Sequence, residues 1–523
     1  MRPFKRIKIS LLFFTFSLGI CQSQETDQMK FQVLDKMSHS PMVYATVILK
    51  NAKIGVISDN NGNFRIPSVY RTKHDTLRIS SIGYETLFLP LMGQTKNEIN
   101  KIFVAVKTES LKEVNLVYQK KKRKMSPGRI VKEAIRKIPE NYSLKPFSFI
   151  AYYRDYQQVS NNQYPDKMNL VDKNPYINLN EGIIQVYDAG FGTDRLTNSL
   201  NQTVLYNFKA NDKFPIDNSL TVPYDNREQK YLDGVIITPL GGNELNLLTL
   251  TNAIRNYNRM SFSFAHVFNE HFLYNHIFTT DQIVYLEDQP YYKISFTSNS
   301  KMAPNSYKAF GNITISKKDF GIQHLDYNLM DVFKDRLLYR VNIEYRPIGK
   351  HYYLNYITFN NYFEVKGGDF FKVDRVEYHH ESAGFQIFFN EDVDLNSMDD
   401  WQKKFKFFSD NEPLILIGLD LIEPHIITIR INTSVELDKA ILDDGIRYEI
   451  KNLQDVKGRI LNERNMIRAD QFREIFVQKV FPEASLDTSY HFVDKNHPLK
   501  MSEQNVFKGT ETYWINTPLK ASK

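Results

Sequence analysis

Short alternations of apolar and polar residues, rather than helical stripes, run through most of this chain. Leu77 and Ile79 alternate with Arg78 and Ser80, the period of a half-buried strand. Residues 44–50 predict another strand. Residues 55–58 and 64–66 flank Asp59-Asn60-Asn61-Gly62-Asn63; Asn and Gly tolerate positive φ, so this segment predicts a hairpin turn. Longer strands are predicted at 147–153, 183–187, 277–285, 291–297, 311–316, 322–329, 337–345 and 352–363. Turn-forming stretches separate several of them, such as Glu287-Asp288-Gln289-Pro290 and Arg346-Pro347-Ile348-Gly349. Beyond these, 385–394, 426–431 and 448–450 predict strands of another β-module, which 455–461 closes.

Helical spacing is confined to three places. Ser126 and Pro127 form an N-cap and first-turn pair ahead of the stripe Ile130, Val131, Ala134, Ile135 and Ile138. Pro139 is expected to end that helix. A second helix is predicted from Glu244 to about Tyr257, and an amphipathic one from Phe472 to Val480. The pattern therefore describes a mostly β, multi-domain chain. Its expected parts are a leader (1–23), an N-terminal β-sandwich (28–115), a basic linker (116–126), a central antiparallel sheet or half-barrel with a few helices (127–365), a second sandwich (370–465) and a C-terminal tail (466–523).

The leader changes how charge and cysteine are read. Residues 1–8 carry Arg2, Lys5, Arg6 and Lys8 and no acid, residues 9–20 are mostly apolar, and Cys21-Gln22-Ser23 supplies a small-residue cleavage site. This is the layout of a secretory signal peptide; the apolar run falls short of the ~20 residues needed to cross a bilayer. Cys21 is the single cysteine; Ile20 before it is bulky where a lipid-attachment site wants a small residue, so cleavage after Ser23 is the first reading and lipidation of Cys21 the alternative. Cleavage would leave a mature chain without thiols, which excludes disulfides, thiolate zinc sites and cysteine nucleophiles. Four of the cations behind the +7 net charge belong to the leader, and the run Lys120–Lys124 supplies five more. The remainder is slightly acidic, with no spread basic face for nucleic acid.

The pattern Pro41, Ala45, Val47, Gly55, Asp59, Asn61-Gly62, Phe64, Leu77, Ile79-Ser80 and Ile82-Gly83-Tyr84 resembles the carboxypeptidase-like regulatory domain family. That resemblance implies a small transthyretin-like sandwich with no catalytic residues, of a kind found at the front of TonB-dependent outer-membrane receptors. Leu111-Lys112-Glu113-Val114 matches the exit of such a module. The long hairpins around the second helix resemble, in pattern and not in motif residues, the half-open barrel of lipoprotein-carrier proteins. Phe389-Asn390-Glu391 with Val393-Asp394, and Asp455, Gly458 and Leu461, resemble a bacterial immunoglobulin-like domain.

Catalytic motifs do not emerge. A zinc carboxypeptidase needs His-x-x-Glu, and none of the twelve histidines has Glu three residues on; His266 has Glu270 at four. His266, His271 and His276, spaced by five, suit neither one helix face nor one strand face, and His379-His380-Glu381 reads as an exposed strand end. Gly-x-Ser-x-Gly and the phosphate-binding loop are absent. Gly190-Phe191-Gly192 lacks a third glycine and reads as a turn. Asp59–Asn63 is too short for a calcium loop, with Tyr70 where the bidentate Glu would fall. The dense aromatics Tyr152, Tyr153, Tyr156, Phe262, Phe264, Tyr291, Tyr292, Tyr352 and Tyr353 read first as core.

No catalytic, cofactor-binding or metal residue is therefore nominated. The expectation is a non-enzymatic envelope protein, in the periplasm or at the outer membrane, that binds or scaffolds through its β-modules. Its partner would be an envelope protein or a hydrophobic ligand, with no nucleic acid, no transmembrane helix and peripheral outer-membrane association. The alternatives are a carrier holding a lipid in the central half-barrel, and a hydrolase of envelope polymers.

Overall fold

The computed structural model describes residues 27–107, 125–159, 176–210, 244–258, 272–301, 306–366, 370–409, 411–432, 447–463, 466–497, 499–506 and 512–519. The leader, the run 120–124, Phe262, Phe264, His266 and His271 lie outside them. Most of the described chain is strand. Among the described residues no helix is long and apolar enough to cross a membrane.

The first domain is a sandwich. Strands β1 (Gln28–Asp35), β2 (Thr46–Leu49), β3 (Ile54–Ile57) and β4 (Asn63–Pro67) precede the single turn α1 (Val69–Thr72); β5 (Thr76–Ser80), β6 (Leu87–Pro90) and β7 (Ile99–Val104) follow. One sheet runs β4-β1-β7, with β1 and β7 parallel, and the other runs β3-β2-β5-β6. The predicted hairpin at 59–63 is corrected here. β3 pairs with β2 and β4 with β1, so this turn carries the chain from one sheet to the other. Its local chemistry is that of a tight turn: Asp59 Oδ1 accepts the backbone N–H groups of Asn61 and Asn63 at 2.9 and 2.8 Å. Gly62 sits at φ +73°, where a Cβ would lie 2.4 Å from the Val33 carbonyl oxygen. Alternation marks a strand's two faces, but it does not name the strand's partner.

The central domain opens with α2 (Pro127–Arg136), Ser126 at its N-cap position. Pro139 falls in the first turn of a new short helix, α3 (Ile138–Asn141), where its missing N–H has no intrahelical role. Long strands follow: β8 (Phe147–Val159), β9 (Tyr176–Asp188) and β10 (Thr203–Ala210), then helices α4 (Glu244–Thr251) and α5 (Phe272–Asn275). The meander continues as β11 (His276–Leu286), β12 (Gln289–Ser298), β13 (Tyr307–Ser316), β14 (Ile322–Asp331), β15 (Arg336–Ile348) and β16 (His351–Lys366). β10 escaped the sequence pattern because a register shift between Leu205 and Asn207 interrupts its alternation.

A second sandwich comes next. It contains β17 (Val373–His379), β18 (Gly384–Phe389), the turn α6 (Trp401–Lys404), β19 (Phe405–Ser409), β20 (Glu412–Pro413), β21 (Leu416–Glu423), β22 (Ile426–Ile431) and β23 (Arg447–Ile450). Its sheets run β17-β18-β22-β21 and β20-β19-β23. Phe385 and Phe407 stack between them, ring centroids 4.2 Å apart.

The helix predicted at 472–480 is instead part of β24 (Met466–Phe481). Residues expected in a C-terminal tail thus run through the middle of the central sheet, ordered β10-β9-β8-β24-β16-β15-β14-β13-β12-β11. Ile475 and Val477 pack on the helical side, while Phe476 packs on the other. A strand buried on both faces shows no clean alternation, so periodicity alone cannot separate it from a buried helix. β16 ends at Lys366, directly opposite Met466, so the second sandwich occupies the place of a hairpin loop.

Two cores lie on the two faces of this sheet. α2, α4 and α5 fill one with Ile130, Val131, Ala134, Leu248 and Phe272. The N-terminal sandwich covers the other, where Tyr152, Tyr356 and Phe476 join its own core. Several polar side chains buried at that junction pair across it. Arg154 and Glu474 form an ion pair with side chains 1% and 0% exposed, and the Tyr44 hydroxyl donates to Glu474 at 3.1 Å. Asn355 Nδ2 donates to Thr46 Oγ1 at 2.8 Å and to Glu344 Oε1 at 2.7 Å. Residues 512–519 seal the seam: Trp514 Nε1 donates to the Arg65 carbonyl at 2.8 Å, and Gln478 Nε2 to the Trp514 carbonyl at 2.7 Å.

Two outcomes are expected. Replacing 367–465 with an Asn-Gly turn leaves the rest folded, because Lys366 and Met466 are already cross-strand neighbours; loss of the cooperative transition in circular dichroism would contradict this. Burial pushes the Glu344 carboxyl up to about 7, with hydrogen bonds from Asn355 and Thr46 pulling it partly back. A carboxyl raised in the fold contributes its full stability below its ordinary value of 4.5, and loses it as pH climbs through about 7. The thermal midpoint should fall over that window, and Glu344→Gln should flatten the fall.

Candidate binding site

Asp188 closes β9, and the chain then turns sharply through Gly190. Gly190 takes φ +96°, and a Cβ there would lie 2.3 Å from the Leu144 carbonyl oxygen, so the close approach needs glycine. Gly190 N donates to Asp188 Oδ1 at 2.8 Å. This turn is the Gly190-Phe191 segment that the sequence reads only as a turn. Its carbonyls face Arg255, which lies just beyond α4.

Arg255 is fully engaged. Its Nε and Nη2 donate to the Asp188 carboxylate, each at 2.9 Å in the shorter contacts. Nη2 also reaches the Gly190 carbonyl at 2.8 Å, and Nη1 the Thr193 carbonyl at 2.9 Å. The guanidinium lies 5.0 Å from the Phe191 ring centroid. Bidentate pairing of this kind is the strong form of the interaction. It fastens the segment after α4 onto the end of the sheet.

A second cation faces the same carboxylate. Arg195 Nε lies 3.7 Å from Asp188 Oδ2, with its side chain 11% exposed. Burial opposes charge on Asp188, but Arg195 and Arg255 outweigh it and hold the carboxyl below its ordinary range. Burial, opposed by Asp188, also lowers Arg195, and the charge of Arg255 lowers it further.

These groups form the polar end of a cavity of about 40 Å³ beneath α4. Phe147, Phe149, Ile184, Leu245, Leu248 and Ile357 line its apolar walls. Beside them, Asn252 and Tyr345 exchange hydrogen bonds at 3.0 and 3.2 Å, and Asn252 Oδ1 also accepts the Arg255 backbone N–H at 3.2 Å. At roughly 10–15 Å³ per water, the cavity has room for about three.

The sequence did not single out Asp188, Arg195 or Arg255. The available signal was slight: Arg255 follows Ala253-Ile254 in a stretch with no acid between Glu244 and Glu270. Of the histidines weighed earlier, His276 is buried; its Nδ1 lies 2.9 Å from the Phe272 carbonyl, and burial lowers it to about 4. His379 and His380 are exposed at the end of β17. Tyr152 and Tyr153, neighbours on β8, are both buried and face opposite cores. Among the described residues no group of three or more His, Cys, Asp or Glu could hold a metal.

Residues 31–116 match the family model of the CarboxypepD_reg-like domain, so the chain carries such a domain at its N-terminus. No curated protein matches the chain. Solved structures with local similarity include a LolA superfamily protein from Nitrosomonas europaea, at 10% identity, 46% of this chain, 86% of that one and a TM-score of 0.18. A putative outer membrane lipoprotein-sorting protein domain from Vibrio parahaemolyticus gives 10%, 45%, 85% and 0.18. A DUF1329 family protein from Desulfovibrio piger gives 9%, 45%, 87% and 0.18. Overlays this poor carry neither fold nor ligand across.

Asp188→Asn would leave two buried guanidiniums with no counter-charge. It is expected to destabilise the protein by about 3–5 kcal/mol, read from urea unfolding. A change below about 1 kcal/mol would mean that the clamp is not a structural anchor.

Proposed function

We propose that this chain is a non-catalytic, exported protein of the cell envelope that binds partners through its β-modules. One observation carries the reading: the N-terminal sandwich is held on the central sheet by buried pairs, Arg154 with Glu474 and Asn355 with Thr46 and Glu344. A domain fixed in this way works as a rigid part of a platform. The second sandwich, read as immunoglobulin-like, is attached through the β16–β24 junction. Its strand β21 ends a sheet, and Ile415, Ile417, Leu421 and Ile422 beside or on it are 66%, 57%, 42% and 55% exposed. An open apolar edge suits strand addition by a partner.

A second reading, a carrier of a hydrophobic ligand, rests on the apolar walls beneath α4. Ordinary ligand pockets measure roughly 300–1,000 Å³, so holding a full acyl chain would require α4 to move.

Native mass spectrometry of the chain recovered from its envelope tests both. A stoichiometric protein partner is expected, released by Ile417→Lys. A retained lipid instead of a protein would favour the carrier, and turnover of an envelope polymer by the purified chain would overturn the non-catalytic reading.

A further inference from the structure

The two guanidiniums at the polar end of the cavity are not equivalent. Arg255 donates to the Asp188 carboxylate, to the Gly190 and Thr193 carbonyls and to Thr193 Oγ1. Among the described residues Arg195 makes only long contacts, to the Tyr187 carbonyl at 3.4 Å and to Asp188 Oδ2 at 3.7 Å. A guanidinium has five N–H donors, and these two contacts of Arg195 leave it room to take a further acceptor. Its side chain lines the cavity.

Charge points the same way. One carboxylate, Asp188, faces two guanidiniums. Lys495 adds a third positive group close enough to Arg195 for the two to repel, and burial and that repulsion both lower the Lys495 ammonium. The adjoining polar groups, Asn252 and Tyr345, are neutral and bond each other. Among the described residues, the charged groups lining the cavity are therefore two guanidiniums and one carboxylate, while most of its walls are aromatic and aliphatic.

We propose that Arg195 anchors an anionic ligand in this cavity, and that the ligand is a carboxylate carrying a short apolar tail. This extends the binding role proposed above to a small molecule and does not depend on the protein partner. The planar fork of arginine matches a carboxylate with two parallel hydrogen bonds. Space for about three waters, each with a liquid share of about 30 Å³, admits a carboxylate and the first few carbons behind it, on the order of five or six non-hydrogen atoms. Inorganic phosphate would meet the charge but leave the apolar walls in contact with oxygen. The carboxylate could belong to a free short-chain acid or to the end of a longer acyl chain; both present the same group to Arg195.

Isothermal titration of the whole chain with sodium butyrate, sodium laurate, 1-butanol and inorganic phosphate tests this, in the natural protein, in Arg195→Met and in Arg195→Lys. Near-UV circular dichroism confirms that both variants keep the native packing. Saturable butyrate binding that weakens at least tenfold in Arg195→Met and recovers in part in Arg195→Lys supports a free short acid. Laurate binding with the same dependence, and none for butyrate, supports the anchor with an acyl chain as source. Four results would overturn the proposal: no binding of either acid, equal affinity in Arg195→Met, butanol binding as tightly as butyrate, or phosphate binding more tightly than both acids. None of these would touch the protein-partner reading, which native mass spectrometry decides separately.

Discussion

The arrangement depends on a strip of sheet, β9-β8-β24-β16, that has no solvent face. Ile184, Ala151, Val477 and Ile357 point toward the helices, while Ile183, Tyr152, Phe476 and Tyr356 point toward the N-terminal sandwich. Both layers are needed to remove this surface from water, at roughly 25 cal/mol for each Å² of apolar area buried. Any charged residue on the strip must be paired, because an isolated buried ion is strongly unfavourable. Arg154 on β8 and Glu474 on β24 meet that condition across adjacent strands. Replacing both with apolar residues could leave stability unchanged, since such pairs rarely outweigh their own desolvation. Their clearer effect is on geometry: Tyr44 reaches Glu474 from the sandwich, so the pair also sets how that domain sits.

Buried charge is handled differently in the middle of β9 and at its end. At Glu181, Tyr152 and Thr517 donate to the carboxylate. At Asp188 one carboxylate serves two guanidiniums. The first arrangement joins the sheet to the C-terminal seam. The second places these three charged groups next to an apolar wall.

Much of the fold was legible because most strands are covered on one face or separated by recognisable turns. The meander β11–β16 follows Glu287-Asp288-Gln289-Pro290 and its counterparts, and the Ile130–Ile138 stripe marks α2. The motif ending in Ile82-Gly83-Tyr84 located the N-terminal domain. Three things were hidden. The 59–63 turn shows its local chemistry but not that its strands diverge. β24 reads as helix-like because both its faces are buried. The Asp188–Arg255 clamp joins residues 67 apart in sequence, and no spacing rule connects them. The turn at Gly190 was visible, but its reason was not, because the cation it serves arrives from another element.

The interrupted hairpin also sets an order of events during synthesis. β8 pairs with a strand whose Glu474 lies 320 residues after Arg154. Its inner edge therefore emerges from the ribosome long before its neighbour exists. Pairings this distant in the chain are slow to form, and an open edge invites self-association in the meantime. Removing the late segment would expose a bare apolar seam through the centre of the sheet rather than trim an end, so truncated products should be prime substrates for chaperones and proteases.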